Sequence, residues 1–350
     1  MSGAPFDYWE FFVAETRRNP APLYEQFAMG VARDDELKAF ANTVRAGQPP
    51  ANILFAAVHF LLLRGADHPL RRFYPNLNDG RRADDLGAAF PAFKDFVAMH
   101  RDELAPLVST RVTNTNEVGR SAVLHAGFRA LAKETGEPLH LIELGPSAGL
   151  NLIWDRYGVR YIRDGDFILA GEADATLVLE SELRGDGIPP VGATPHVAYR
   201  IGLERNPVDL SRSEERDWLK ALVWPDQVAR FARLKAALGI RVGESLTIRE
   251  GDALELLPDA LSEIPEDAAT CVYHSFVTYQ FSDEMRATLD NLLVAASLRR
   301  PLWRLSWEGT LSGEAPLLLH GYRDGVRSTR LLAQCQAHGA WLEWKAWTPA

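Results

Sequence analysis

The chain has 350 residues, of which 47% are hydrophobic and 24% are charged, a composition typical of one large or two modest globular domains and not of a disordered chain. Its formal net charge of −9 disfavours general binding to nucleic acid or to anionic lipid surfaces. The two cysteines, Cys271 and Cys335, exclude a disulfide framework and lack zinc-ligand spacing, so we expect buried thiols in a reduced cytoplasmic setting.

The first 135 residues have a helical pattern. The segments "LYEQFAMGVARDDELKAFANTV" and "AFPAFKDFVAMHRDELAPLV" carry apolar residues at three- and four-residue spacing. The longest apolar run, "ANILFAAVHFLLL", is far shorter than the roughly 20 residues that span a bilayer, so it predicts a buried helix and no membrane partner. We therefore predict an all-helical cap domain over residues 1–135.

From residue 136 onward, short apolar runs alternate with helical segments. Strands are predicted at "LHLIEL", "HVAYRIGLE", "SLTIRE", "ATCVYHSF" and "PLWRLSW", and the tail "LLLHGYRD", "STRLLAQCQ" and "WLEWKAW" is typical of consecutive strands. This order predicts an α/β fold over residues 136–350: a Rossmann-like, mostly parallel sheet with antiparallel strands at its C-terminal edge. Residues 158–197 interrupt the alternation and predict an insertion with a small strand pair.

The loop "ELGPSAG" after the first of these strands allows two interpretations. Gly145 to Gly149 match the G-x-S-x-G elbow that exposes a nucleophilic serine, here Ser147. The same residues match a glycine loop that receives a nucleotide-like cofactor. Glu204, at the end of the second strand, and Asp252 after the third favour the cofactor interpretation, and the serine-hydrolase alternative stays open.

The motifs "IELGPSAG", "YRIGLERNP", "EGDALELLP" and "CVYHSF" resemble the class I S-adenosylmethionine-dependent methyltransferase fold. The resemblance implies that S-adenosylmethionine is the cofactor, with Glu143 near its amino end and Glu204 on its ribose hydroxyls. The cofactor-binding residues it implies are Glu143, Gly145, Ser147, Gly149, Glu204, Asp252 and Ala253. Two features depart from the usual pattern: Pro146 within the loop, and a separation of 61 residues (204 minus 143) between Glu143 and Glu204, against about 20.

Several polar residues are candidates for contacting the methyl acceptor. His274, after the fourth strand, is the candidate base, since imidazole titrates near neutrality, and Tyr279 could bind the acceptor. The candidate substrate-binding residues are Ser275 and, in the cluster "TNEVGR", Asn116, Glu117 and Arg120. We expect a transferase that methylates a small molecule, or alternatively a non-catalytic or regulatory module with the same fold. No metal site is expected.

The wider chain resembles a bacterial family of uncharacterised proteins, DUF2332, along nearly its full length. The segments that carry this second resemblance include "PPANILFAAVHFLLLRGADHPL", "TNEVGR", "RNPVDL" and "LKALVWPDQ". It implies the fold and no particular activity.

Overall fold

The computed structural model describes residues 7–114, 116–172, 174–265, 268–309 and 314–345. The chain divides into two compact units. One contains Met1–Thr115 and Leu210–Lys235, and we call it the helical unit; the other contains Asn116–Asp209 and Ala236–Ala350, and we call it the sheet unit.

In the part of the chain that the structure describes, seven α-helices precede the first strand. They are α1 (Tyr8–Arg18), α2 (Pro22–Val31), α3 (Asp35–Ala41), α4 (Pro50–Leu63), α5 (Ala89–Met99), α6 (Arg101–Thr110) and α7 (Arg120–Thr135). Helix α4 is the predicted buried helix: ten of its 14 residues are buried, including His59 near its middle. A helix that is apolar on all sides belongs in a core, and α4 lies in the middle of an aromatic core that includes Phe27, Phe55 and Phe93.

The sheet unit is built on one mixed sheet. Its strands among the described residues are β1 (Leu139–Leu144), β2 (Gly158–Arg163), β3 (Asp166–Gly171), β4 (Val178–Arg184), β5 (Val197–Glu204), β6 (Thr247–Glu250), β7 (Ala269–Ser275), β8 (Leu302–Trp307), β9 (Glu314–Arg323), β10 (Val326–Gln336) and β11 (Trp341–Trp344). The later helices of the chain are α8 (Ser213–Ala221), α9 (Val228–Val242), α10 (Ala253–Glu263) and α11 (Asp283–Ser297).

The strand order is β3-β2-β4-β11-β10-β9-β8-β7-β1-β5-β6. Strands β6, β5, β1, β7 and β8 are parallel, and β9, β10 and β11 continue the sheet in antiparallel pairs. The predicted α/β fold, with a mostly parallel sheet and antiparallel C-terminal strands, is confirmed. The predicted edge position of those antiparallel strands is wrong, because β4, β2 and β3 extend the sheet beyond β11. The segment 158–197 contains the antiparallel pair β2 and β3, as predicted, and also β4, which joins both β2 and β11.

Helices pack on both faces of the parallel strands. On one face, apolar residues of β1, β5 and β7 form a core with α10 and α11. On the other, Phe128 of α7 packs edge to face against Tyr273 of β7. Coverage of both faces explains why β1 and β7 are buried throughout, since a parallel sheet places both sets of alternating side chains in the interior.

The segment 210–235 differs from its predicted place in the second domain, because it belongs to the helical unit. Trp218 and Ala221 of α8 are buried in the core of that unit, and the Trp218 indole donates to the carbonyl of Val112 at 2.9 Å. The apolar face of α8 therefore completes the helical core.

The described residues contain no helix long and apolar enough to cross a membrane. Both cysteines are buried and free, as expected, and burial raises the pKa of Cys271 to about 12.

Candidate functional site

The strand order reverses at β1. From β1 the sheet continues to β5 and β6 on one side and to β7 and β8 on the other. In open sheets of parallel strands, ligands bind at the carboxyl ends of the strands where the order reverses. We call this place the switch-point edge; it comprises the carboxyl ends of β1, β5, β6 and β7 and the loop residues 145–149, 205–206, 251–252 and 276–279.

The loop after β1 adopts a backbone that requires glycine. Gly145 has φ of 67° and Gly149 has φ of 73°, both in the left-handed region. A Cβ atom on Gly145 would also lie 2.8 Å from a methyl carbon of Val277, so the loop after β7 approaches too closely for any side chain here. The glycines predicted from the sequence thus fix how the loops after β1 and β7 meet.

Two residues of the switch-point edge have an unfavourable backbone. Ser147 has φ of 53° and Phe276 has φ of 57°, and positive φ is costly for a bulky side chain such as phenylalanine. Among the described residues, the other non-glycine positions with positive φ are all aspartates, which tolerate this conformation well. Strained residues of this kind cluster at functional sites, which supports a ligand site at this edge.

Hydrogen bonds hold the strained loop in place and bring three predicted residues together. The Ser147 amide donates to Oε2 of Glu204 at 2.8 Å, and Asn116 donates through Nδ2 to Oγ of Ser147 at 2.8 Å. The Ala148 amide donates to Oδ1 of Asn116 at 3.1 Å. The other Glu204 oxygen, Oε1, accepts from the amide of Asn206 at 3.0 Å.

Glu143 is the penultimate residue of β1 and carries a buried carboxyl group, with 2% of its surface exposed. Its Oε2 accepts a hydrogen bond from the Tyr273 hydroxyl at 2.9 Å. Burial raises the pKa of Glu143 to about 8; the Tyr273 hydrogen bond opposes this rise, Glu204 adds to it and Arg120 opposes it. The carboxyl group is therefore largely protonated at neutral pH, and a cation placed beside it would ionise it.

Arg120 lies at the start of α7 and is buried against the loop after β7. Its Nη1 donates to the carbonyl of Ser275 at 3.1 Å, its Nε donates to the carbonyl of Ala337 at 3.1 Å, and its guanidinium stacks 4.3 Å from the Phe276 ring centroid. Glu117 accepts from the Gly119 amide at 3.0 Å and lies 3.7 Å from His338. These contacts give Arg120 and Glu117 structural roles at the edge of the site.

His274 pairs with a residue that the sequence reasoning missed, Glu308. The Nδ1 atom of His274 lies 2.6 Å from Oε1 of Glu308, which follows β8 directly. Glu308 also accepts the amides of Val277, Thr278 and Tyr279 at 3.1–3.2 Å. Burial alone would raise the pKa of Glu308, but the His274 contact and these amides lower it overall. A glutamate directly after a buried strand, next to the strand that carries His274, is the signal that could have revealed it.

The side chain of His274 points away from Glu143. Glu143 pairs in register with Tyr273, and successive residues of a strand point to opposite faces. Because Nδ1 of His274 donates to a carboxylate, Nε2 is left as the basic nitrogen of the ring. Nε2 is buried and has no hydrogen-bond partner among the described residues.

The remaining predicted residues lie at the periphery of the switch-point edge. Asp252 caps α10 by accepting from the Leu254 amide at 2.9 Å and also pairs with Arg205, and Ala253 begins the helix. The side chain of Tyr279 is largely exposed, at 63%.

The described contacts of Ser147 do not build a hydrolase triad. Its hydroxyl is held by Asn116, and the buried His320 of β9 bonds to Thr329 at 2.8 Å. In the part of the chain that the structure describes, no three His, Cys, Asp or Glu side chains are grouped as metal ligands.

Comparison with known proteins identifies a family. No curated protein matches the chain. The model of one family, described as "Uncharacterized protein conserved in bacteria (DUF2332)", matches residues 9–344. Because that match spans nearly all of the 350 residues, the chain belongs to the DUF2332 family.

Proposed function

We propose that the sheet unit binds S-adenosylmethionine at the switch-point edge and transfers its methyl group to a small molecule. The observation that carries the proposal is the placement of Glu143, Ser147 and Glu204 at the carboxyl ends of adjacent parallel strands, beside the reversal of strand order.

The chemistry of these residues fits the cofactor. Each oxygen of Glu204 accepts one backbone amide and retains a lone pair, so the carboxylate has capacity for two ribose hydroxyls. The buried Glu143 carboxyl would face the cationic amino end, and Gly145 and Gly149 keep side chains out of the loop. Bound S-adenosylmethionine would supply an electrophilic methyl group; the protein's part is to bind, orient and exclude water.

His274 is the proposed base for an acceptor that must lose a proton. Its pairing with Glu308 orients the ring and fixes which ring nitrogen carries hydrogen, as a carboxylate does in a catalytic triad. We therefore add Glu308 to the proposed machinery, as a positioning residue.

A non-catalytic module with the same fold is the second candidate. It is favoured by the engagement of the key acidic groups within the protein: both oxygens of Glu204 hold backbone amides, and Asp252 holds a helix N-terminus and Arg205. Such a protein would bind the cofactor, or a related nucleoside, without turnover.

Calorimetric titration with S-adenosylmethionine and S-adenosylhomocysteine tests the proposal. We expect wild type to bind both, Ser147→Ala to retain binding because the backbone amide survives, and Glu204→Gln to bind roughly 10-fold or more weakly. Glu180→Gln is the matched control, since Glu180 is an exposed glutamate of β4, a strand that is not part of the switch-point edge.

Titration in buffers of different ionisation enthalpy adds an independent readout. If the cationic amino end of the cofactor lies beside Glu143, binding at pH 7 should release a proton, because Glu143 is protonated in the free protein. An absence of binding by the folded wild type would refute the cofactor proposal. Binding without methyl transfer to any member of a broad metabolite panel would favour the non-catalytic module.

A further inference from the structure

A second cluster of buried polar groups lies wholly within the helical unit. It is formed by α2, α4, the segment 74–76 and the segment 221–226. Helix α4 and the segment 221–226 lie in stretches that carry the resemblance to the DUF2332 family. Its polar members are Tyr24, Asn52, His59, Tyr74, Asn76 and Asp226. We call it the helical-unit cluster.

The cluster has four buried oxygen atoms with no hydrogen-bond partner among the residues that the structure describes. These atoms are the hydroxyls of Tyr24 and Tyr74 and the Oδ1 atoms of Asn52 and Asn76. Buried polar atoms are almost always paired, with protein, water or ligand, so four in one core require an explanation. Neither tyrosine has more than 1% of its surface exposed.

Ring contacts bring these residues together. Tyr24 packs 4.9 Å from Phe55 and 5.9 Å from Trp224, while Tyr74 packs 5.2 Å from His59. Asn52, Phe55 and His59 lie three, four and seven positions apart on α4, so they share one face of that helix.

The hydrogen-bond chain through His59 determines which way Asn76 points. Nδ1 of His59 must donate to the carbonyl of Ala221, at 2.9 Å, because a carbonyl only accepts. Burial lowers the pKa of His59 to about 4, so the ring is neutral and its Nε2 accepts from Nδ2 of Asn76 at 2.9 Å. The amide oxygen of Asn76, Oδ1, is therefore the atom of this side chain that remains available to accept a hydrogen bond.

Asp226 adds a buried carboxylate to these oxygens. Its side chain is 2% exposed, and its Oδ2 accepts the Leu23 amide at 3.1 Å. The nearest described cation is Arg82, 3.9 Å from Oδ1, and the Arg82 side chain is 59% exposed. Because this ion pair is long and open to solvent, the negative charge of Asp226 is only partly compensated.

A ligand for this cluster must bring hydrogen atoms and positive charge. Amide and carboxylate oxygens only accept, and the hydroxyls can accept as well. An ammonium group has three donors and no acceptor, and the surrounding aromatic rings also favour a cation. We propose that the helical-unit cluster binds a small ligand through a primary ammonium group held by Asp226, Asn76 and the hydroxyls of Tyr24 and Tyr74.

Titration of the full chain with methylammonium tests this proposal, with potassium at equal ionic strength as the comparison. Potassium carries the same charge without hydrogen-bond donors. We expect methylammonium to raise the thermal midpoint more than potassium does, and saturation transfer from the aromatic protons to its methyl signal. Asp226→Asn should weaken binding at least 10-fold, and Tyr74→Phe, which keeps the ring, should weaken it less.

Asp217→Asn is the matched control, because Asp217 is a surface aspartate of α8 that pairs with Arg64 and Lys220. This variant should bind methylammonium as wild type does. Equal effects of methylammonium and potassium, no effect of either, or undiminished binding by Asp226→Asn would each overturn the proposal, and buried water would then account for the oxygens. The test does not depend on S-adenosylmethionine, so its outcome is separate from that of the proposed function.

Discussion

The protonated carboxyl group of Glu143 makes the sheet unit sensitive to pH. The ordinary pKa of this group is 4.5 and the folded value is about 8, so between these values the folded state holds a proton that the unfolded state has lost. Stability from this group is therefore fully present below pH 4.5 and is lost as pH rises towards 8. The slope is at most about 1.4 kcal/mol per pH unit.

Glu143→Gln should remove this dependence. Glutamine keeps the shape of the side chain and can still accept from Tyr273, but it does not ionise. In wild type, we expect hydrogen exchange of the β1 amides to accelerate between pH 5 and pH 8 beyond the intrinsic increase in the exchange rate. The corresponding decrease in the free energy of opening should be a few kcal/mol. In the variant, the free energy of opening, corrected in the same way, should stay nearly constant. If it changed with pH in the variant as it does in wild type, the assigned protonation state of Glu143 would be wrong.

The residues that the sequence predicted and those that it missed differ in a physical way. Glu143 and Glu204 lie at the carboxyl ends of predicted strands and the glycine loop follows the first of them, so the strand pattern was enough to place them at one edge. Glu308 and Phe276 also follow strands, but their importance comes from a cross-strand hydrogen bond and from a backbone angle. Neither property is encoded in local sequence pattern. The cofactor and catalytic roles stay predictions.

Among the elements, helix α7 shows how one missing side chain sets a packing distance. Gly127 lies in α7, and a Cβ atom there would come within 2.7 Å of a methyl group of Leu305 on β8 and 3.3 Å of one on Leu317 of β9. Gly239 lies in α9, and a Cβ atom there would have no described neighbour within 4 Å. The two helical glycines therefore offer the same substitution in opposite environments.

Gly127→Ala should destabilise the protein by roughly 1–3 kcal/mol, because the leucines must move or α7 must lift from the sheet. Gly239→Ala should stabilise it by about 0.5–1 kcal/mol, because alanine loses less backbone entropy in a helix. Urea unfolding of both variants beside wild type measures the difference. A stabilising Gly127→Ala would show that the contact between α7 and the sheet is loose.

The strands were better predicted than their neighbours in the sheet. Hydrophobic runs identified β1, β5, β7, β8 and the C-terminal strands, and the strand pair in the insertion was also predicted. The position of β4 beside β11 could not be predicted. Pairing between residues about 160 positions apart depends on tertiary packing rather than on local sequence pattern. The same holds for α8, whose amphipathic pattern does not say which core receives it.

At the scale of the whole molecule, the helical unit is discontinuous in sequence. Residues 210–235 supply Trp218 and Ala221 to its core and bring Asp226 to the amide of Leu23. The unit is therefore complete only when this segment is present.

A fragment of residues 1–135 should consequently fail to reach the native helical core. We expect less helicity than the same residues have in the full chain, and exposed apolar surface that binds a hydrophobic dye, because the partners of α4 in α8 are missing. Adding a peptide of residues 208–236 in trans should restore helicity. A cooperative melting transition of fragment 1–135 alone would contradict the assignment of the 210–235 segment.

The discontinuity also sets an order of events on the ribosome. At roughly 5–20 residues per second, about 6–24 seconds pass between the addition of residue 115 and the addition of residue 235. During that time the residues of α1 to α6 have been synthesised, but the segment 210–235 that packs against their apolar faces has not. We therefore expect the nascent N-terminal part of this chain to bind chaperones that shield exposed hydrophobic surfaces, whereas a domain encoded as one continuous segment would fold as soon as it emerged.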